Sequence, residues 1–321
     1  MQIKGKYLPL FLILFCFLTG TSFAKVLPGP SKDSSLALLG LYEDTLKDLQ
    51  LEKVKPHTSD QAKLKANERF SALLQKALSL PGSFDYPFDS LSTIANLTSP
   101  DKQFRIFNWN VPKADGSFYY FGFIQSLDPV KNVYHIYTLQ DKTADIANGL
   151  TTTCTADKWL GMLYYKIIPE KYEDKSIYVM LAWQGYNKII THKVIDVITL
   201  NNQGVPSFGK AIFKKPPPGF KGVLKRIIFQ YSSTAYMSIK YDSKKNMIQF
   251  DHLGPIDDGL VGQYQYYAPG FQVDGLAFKE NGFEYIANID ARNPASPIDK
   301  DYSDPEHNPR QINNKAIYKS H

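Results

Sequence analysis

Cysteine is almost missing from this chain: there are two in 321 residues, Cys16 and Cys154. Cys16 falls in an N-terminal segment that reads as removable, which leaves Cys154 without a partner. Disulfides are therefore excluded as the source of stability, and a packed core must supply it. A lipid anchor at Cys16 would require a small residue before it, and Phe15 is not small. Concentrated positive charge is missing too. The 37 Lys and Arg against 31 Asp and Glu are interspersed, and the densest basic stretch, residues 210–226, is interrupted by Pro216-Pro217-Pro218. A nucleic-acid partner, which calls for a contiguous basic stripe, is not expected. After the N-terminal segment no apolar run reaches the roughly 20 residues a bilayer requires, so no membrane span is expected in the mature chain.

Recognisable chemistry is also scarce. Cys154 lies in Thr151-Thr152-Thr153-Cys154-Thr155, which reads as a loop, and no histidine stands at a spacing that would activate it. An inert buried thiol is the simpler reading. The acidic cluster Asp299, Asp301, Ser303, Asp304 and Glu306 has Asp304 where a calcium-binding EF-hand loop has its sixth-position glycine, so a solvated tail is expected there. No metal and no cofactor is expected.

What is present begins with the first 24 residues. Lys4 and Lys6 precede an apolar run from Tyr7 to Leu18, and Ser22 and Ala24 stand at the −3 and −1 positions of a small-x-small site. This is the pattern of an export signal cleaved near Ala24, and it predicts a periplasmic or secreted protein. Two amphipathic helices follow. Leu39, Tyr42, Leu46 and Leu49 recur at helical spacing within residues 35–51, as do Ala66, Phe70, Leu73, Ala77 and Leu80 within residues 60–80. Ser59 is the expected N-cap and Pro81-Gly82 the stop. A helical hairpin with one apolar face results.

From Leu91 the texture changes to strands, in keeping with an aromatic content of 14%. Four are expected within residues 91–140, four within 158–213 and four within 225–267, followed by residues 271–279 and 282–289. Short turns between consecutive strands predict antiparallel pairing. The fold expected is a mainly β antiparallel meander, with propeller-like blades or a bent sandwich, preceded by the helical hairpin. The expected divisions are a signal peptide over 1–24, the hairpin and a linker over 25–90, the β domain over 91–290 and a polar tail over 291–321. In residues 177–183, Ile177, Val179, Leu181 and Trp183 alternate with Tyr178, Met180 and Ala182, so that strand is apolar on both faces and must be covered on both.

The stretches Glu68 to Leu80, Phe84-Asp85-Tyr86-Pro87-Phe88-Asp89-Ser90-Leu91 and Thr98 to Asn110 resemble uncharacterised exported proteins of the Bacteroidota. So do Arg226 to Tyr231, Met237-Ser238 and Met247 to Leu253. The resemblance implies a compartment and a lineage but no activity, and no catalytic residue is carried over from it.

Candidate ligand-binding residues are Asp251, His252, Trp183, Tyr264 and Tyr266. Ile248, Phe250 and His252 share one face of their strand and Asp251 points to the other, which puts His252 at the end of a core face. Trp183, Tyr264 and Tyr266 offer flat rings to a sugar or a peptide, although core packing is the default role of such rings. His192 and Asp196, four residues apart, are too distant to bond one another and suit a half-exposed edge strand. The function expected is an exported, non-catalytic binding or structural module of the cell envelope, partnered by a glycan, a peptide or an envelope protein. The alternative is an exported hydrolase acting on carbohydrate, whose two carboxyl groups need not be close in sequence.

Overall fold

The computed structural model describes residues 32–280 and 282–289; the signal-like segment 1–24 and the acidic tail cluster lie outside them. The hairpin forms as its periodicity requires, with α1 over Lys32–Glu52 and α2 over Asp60–Leu78. The Ser59 hydroxyl accepts the Ala62 N–H at 3.3 Å, and Gly82, at φ +81°, turns the chain beyond the second helix. The four-stranded first sheet follows, in the order β1 (Ala95–Thr98), β2 (Phe104–Pro112), β3 (Phe118–Asp128), β4 (Val133–Gln140), antiparallel throughout. Leu39, Leu46, Leu49, Phe70 and Leu74 bury the helical stripe against Phe107, Trp109, Val111 and Phe123 of this sheet. Some of the polar groups caught at this junction are matched, although Gln125 Oε1 is buried without a partner among the described residues. Trp109 Nε1 donates to Asn67 Oδ1 at 2.6 Å and Gln125 Nε2 to the Leu78 carbonyl at 2.9 Å.

The second sheet contains β5 (Cys154–Thr155), β6 (Leu163–Tyr172), β7 (Lys175–Gln184), β8 (Ile190–Leu200) and β9 (Pro206–Phe208), in the order β5-β9-β8-β7-β6. Next in the chain are β10 (Phe213–Lys215), β11 (Ile227–Ser232), β12 (Ile239–Asp242), β13 (Met247–Pro255), β14 (Tyr267–Lys279) and β15 (Gly282–Ile286). Five of these make the third sheet, in the order β10-β15-β14-β13-β12, with β10 and β15 parallel. β11 instead joins the second sheet beside β8.

The layers stack as helices, first sheet, second sheet, third sheet. Phe104, Ile106, Tyr120 and Ile124 of the first sheet meet Tyr178, Met180, Ala182 and Val194 of the second. Val179, Leu181, Ile195 and Val197, on the opposite face of the second sheet, meet Ile248, Phe250, Leu276 and Phe283 of the third. The doubly apolar β7 is thus sandwiched between two sheets, as its composition demands. The sheets stack face to face; they do not radiate as propeller blades.

Four local expectations are corrected. β11 was expected with the third group of strands. β8 is eleven residues long and β9 pairs only with its Ile198–Leu200 end, so β11 takes the free edge from Ile190 to Ile195. The last strand expected in the third group, over residues 262–267, does not form: Tyr264–Tyr266 make a 3₁₀ turn and Tyr267 opens β14. His192 and Asp196 do not lie on a half-exposed edge. β8 is paired on both sides, and their exposures are 6% and 0%. Asp196 accepts from Arg226 Nε at 3.0 Å and from the Tyr164 hydroxyl at 2.9 Å, inside the core. Cys154, in a short strand and not a loop, lies under the same guanidinium, with Sγ 3.8 Å from it. Burial pushes its thiol pKa up, which suits an inert role.

Candidate functional site

A cavity of about 410 Å³ opens where the exposed edge of β11 faces the third sheet. That is within the usual size range of small-molecule sites. Its walls come from β11, the ends of β13 and β14, and the segment between β10 and β11. Pro216, Pro217 and Pro218 have no N–H groups with which to extend a strand, and Gly219 and Gly222 take φ values of +88° and +84°. The segment therefore loops out and brings Phe220 to the cavity, where its ring meets Phe229 edge-on at 5.6 Å. Phe229 continues to Phe250 at 4.8 Å, and Tyr264 packs on Tyr267 at 5.1 Å. All five rings line the cavity.

His252 supplies its polar focus. Regular alternation carries Ile248 and Phe250 into the core and His252 after them on the same face. The register then shifts between Asp251 and Leu253, and such a bulge re-aims side chains. As a result the consecutive residues His252 and Leu253 both line the cavity, which an unbroken strand would forbid. His252 Nδ1 lies 2.7 Å from Asp274 Oδ2. The carboxylate side chain is 3% exposed, against 43% for the imidazole. Asp274 also accepts the Asn288 N–H at 3.0 Å and bonds the Tyr285 hydroxyl. Desolvation first, and this bond second, push the Tyr285 pKa up to about 12, so the phenol remains a donor. A buried carboxylate with these partners holds the ring in the tautomer with Nδ1–H directed at Asp274. In the neutral ring Nε2 is left as an acceptor.

The five residues singled out from sequence are dispersed. His252 and Tyr264 meet in this cavity. Asp251 points to the other face, where its carboxylate accepts the Ser238 N–H at 2.7 Å. Tyr266 neighbours Tyr264 in the 3₁₀ turn, half exposed, and is not among the lining residues. Trp183 lies far along β7 and packs edge-on against Phe118 at 5.4 Å. Sequence reasoning missed Asp274, Phe220 and Tyr267. Asp274 is 22 residues from His252 and no motif links them; the β13–β14 register, which pairs Phe250 with Asp274, brings them together. The triple proline was a usable signal for the Phe220 loop.

Among the described residues no group of three or more His, Cys, Asp or Glu is arranged to hold a metal ion, and no helix is long and apolar enough to cross a membrane. Fold and site together describe a helix-capped stack of three sheets with an aromatic cavity at one sheet edge. The chain matches no protein-family model, no curated protein and no solved structure.

Proposed function

We propose that this protein is an exported, non-catalytic binding module that seats a compact ligand in the cavity beside β11. The observation that carries the reading is the His252–Asp274 pair set into a ring of five aromatic side chains. The rings offer apolar area, and the oriented imidazole offers a hydrogen-bonding atom. Few polar groups in an apolar recess is the usual composition of a binding site. The ligand that fits is a flat apolar body carrying a hydroxyl or amine that donates to Nε2. Export rests on the signal-like pattern of residues 1–24, and the resemblance to exported Bacteroidota proteins agrees with it.

The hydrolase reading has less to draw on at this site. Among the described residues that line the cavity, Asp274 is the one carboxylate, and His252, Asn288 and Tyr285 already engage it. A glycosidase brings two carboxyl groups to the scissile bond.

Thermal-shift screening of the purified protein against phenols, hydroxylated bicyclic compounds and aromatic amines tests the proposal. A ligand at a hundred times its Kd stabilises the fold by about 2.7 kcal/mol. His252→Ala is expected to abolish the ligand-induced shift and leave the unliganded Tm within about 2 °C, because the ring is 43% exposed on its side chain. Equal shifts in wild type and variant would refute His252 as a ligand contact. The export component is checked by sequencing the N-terminus of protein recovered outside the cytoplasm, with Lys25 as the expected first residue.

A further inference from the structure

A second, larger recess lies elsewhere on the molecule, and its chemistry differs. It measures about 860 Å³ and is bounded by three turns distant in sequence: Lys113 to Ser117 between β2 and β3, Asp141 to Ala147 after β4, and Gln184 to Asn187 between β7 and β8.

One aromatic ring in it is held as a platform. Tyr186 is 49% exposed, and its ring lies on that of His192 at 4.5 Å with an interplanar angle of 20°. His192 is itself buried, and its Nδ1 lies 2.8 Å from Gln184 Oε1. The Gln184 amide in turn donates to the Gly161 carbonyl. Beside the platform, the Gly185 N–H donates to the Tyr120 hydroxyl at 2.7 Å. Any side chain at Gly185 would collide with Phe118, whose Cε2 lies 2.4 Å from the position of a Cβ. One face of the Tyr186 ring is thus backed by a fixed stack, and the ring remains half accessible. Little conformational freedom is left to lose on binding, which favours affinity.

The polar groups around this ring carry both signs. Lys113 and Lys142 stand with Asp115, Asp141 and Asp145 along the recess, and Lys142 Nζ is 4.0 Å from Asp145 Oδ2. A ligand of either charge would meet like charge there. A neutral ligand bearing many hydroxyls would not, because a hydroxyl donates to carboxylates and accepts from ammonium groups. The negative face of an aromatic ring attracts the weakly positive C–H edges of an apolar surface. Sugar rings combine such a C–H face with a rim of hydroxyls.

We infer that this recess is a binding site for neutral oligosaccharide, with Tyr186 as the stacking platform and Lys142 and Asp145 as hydroxyl contacts. The site is independent of the cavity at His252 and stands or falls without it.

Affinity electrophoresis of the purified protein through gels containing hydroxyethylcellulose, galactomannan, dextran or soluble starch tests the inference, with polygalacturonate as the charged comparison. Retardation by at least one neutral polymer and none by polygalacturonate is expected. Tyr186→Ala is expected to lower the association constant at least tenfold and Tyr186→Phe less than threefold. Should Tyr186→Ala fold poorly, Asp145→Ala at its exposed position carries the test, with an expected loss of about threefold. The inference is overturned if no neutral polymer retards the protein, if only polygalacturonate does, or if a folded Tyr186→Ala or Asp145→Ala binds like wild type.

Discussion

Several ionisable side chains in this protein are buried at a cost that pH should expose. Desolvation pushes the His192 pKa down from 6.5 to about 4; among the described residues Nε2 has no well-formed hydrogen bond, and the Gln230 side chain beside the ring opposes the shift only in part. The folded value lies below the unfolded one, so the unfolded chain takes up the proton first. Stability from the neutral ring is full above pH 6.5 and declines as pH falls towards and through about 4, by about 3 kcal/mol in all. Urea midpoints measured between pH 4 and 7 should show this slope, and His192→Gln should flatten it. Lys53 is a second case. Its residue is wholly buried, its ammonium nitrogen bonds the Thr93 hydroxyl at 3.0 Å and stands 5.0 Å from the Phe70 ring centre, and desolvation lowers its pKa to about 7. Stability is therefore lost as pH falls from 10.5 to about 7 and is constant below that. Lys53→Met is expected to stabilise the protein at pH 7 by about 1–4 kcal/mol, read as a raised Tm. An unchanged or lower Tm would mean that the Thr93 and Phe70 contacts outweigh desolvation.

Single cations also decide how elements are joined. Arg105 on β2 directs its guanidinium to the carbonyls of Ser83, Phe84, Tyr86 and Pro87 and to Asn96 Oδ1. Those carbonyls belong to the irregular segment that leads from α2 to β1, a stretch without ladder bonds of its own. Burial lowers the Arg105 pKa to about 10, which leaves it a cation at neutral pH. Arg105→Leu should cost about 3–5 kcal/mol through the stranded buried acceptors. Hydrogen exchange offers the element-level check. Protection should fall first in α1 and α2, and protection in β13 and β14 should persist in the same sample. Arg226 has the equivalent role in the second sheet, where it bonds Asp196 and the Gly149 and Thr152 carbonyls. Neither arginine was legible as a structural residue in sequence, because each acts on groups between 9 and 77 positions away.

Across the whole molecule, three apolar interfaces separate four layers, and the second sheet takes part in two of them. Ile106 belongs to the interface of the first and second sheets and Ile248 to that of the second and third, and both are fully buried. Stacked sheets stand about 10 Å apart, so these side chains are well separated. Ile106→Ala and Ile248→Ala should each cost about 2–5 kcal/mol, and the double variant should equal their sum within about 0.5 kcal/mol. A larger discrepancy in equilibrium unfolding would show that the second sheet shifts as a unit and couples its two faces.

Local periodicity determined much of this architecture. The helical spacing from Leu39 to Leu49 and from Phe70 to Ala77, the cap at Ser59, the first four strands and the need to cover both faces of β7 are consequences of residue order within a few positions. So is the placement of His252 on the core face of β13. Pairings between distant segments required the folded chain. That β11 completes the edge of β8, that Asp274 meets His252, and that three remote turns surround Tyr186 all depend on register and sheet order. Helical and strand periods carry no information about either, because a period states which face a residue occupies and not which other face it meets. Both candidate sites lie where separate elements converge, and for that reason the sequence names single members of the cavity at His252, while the recess at Tyr186 emerges only from the tertiary structure.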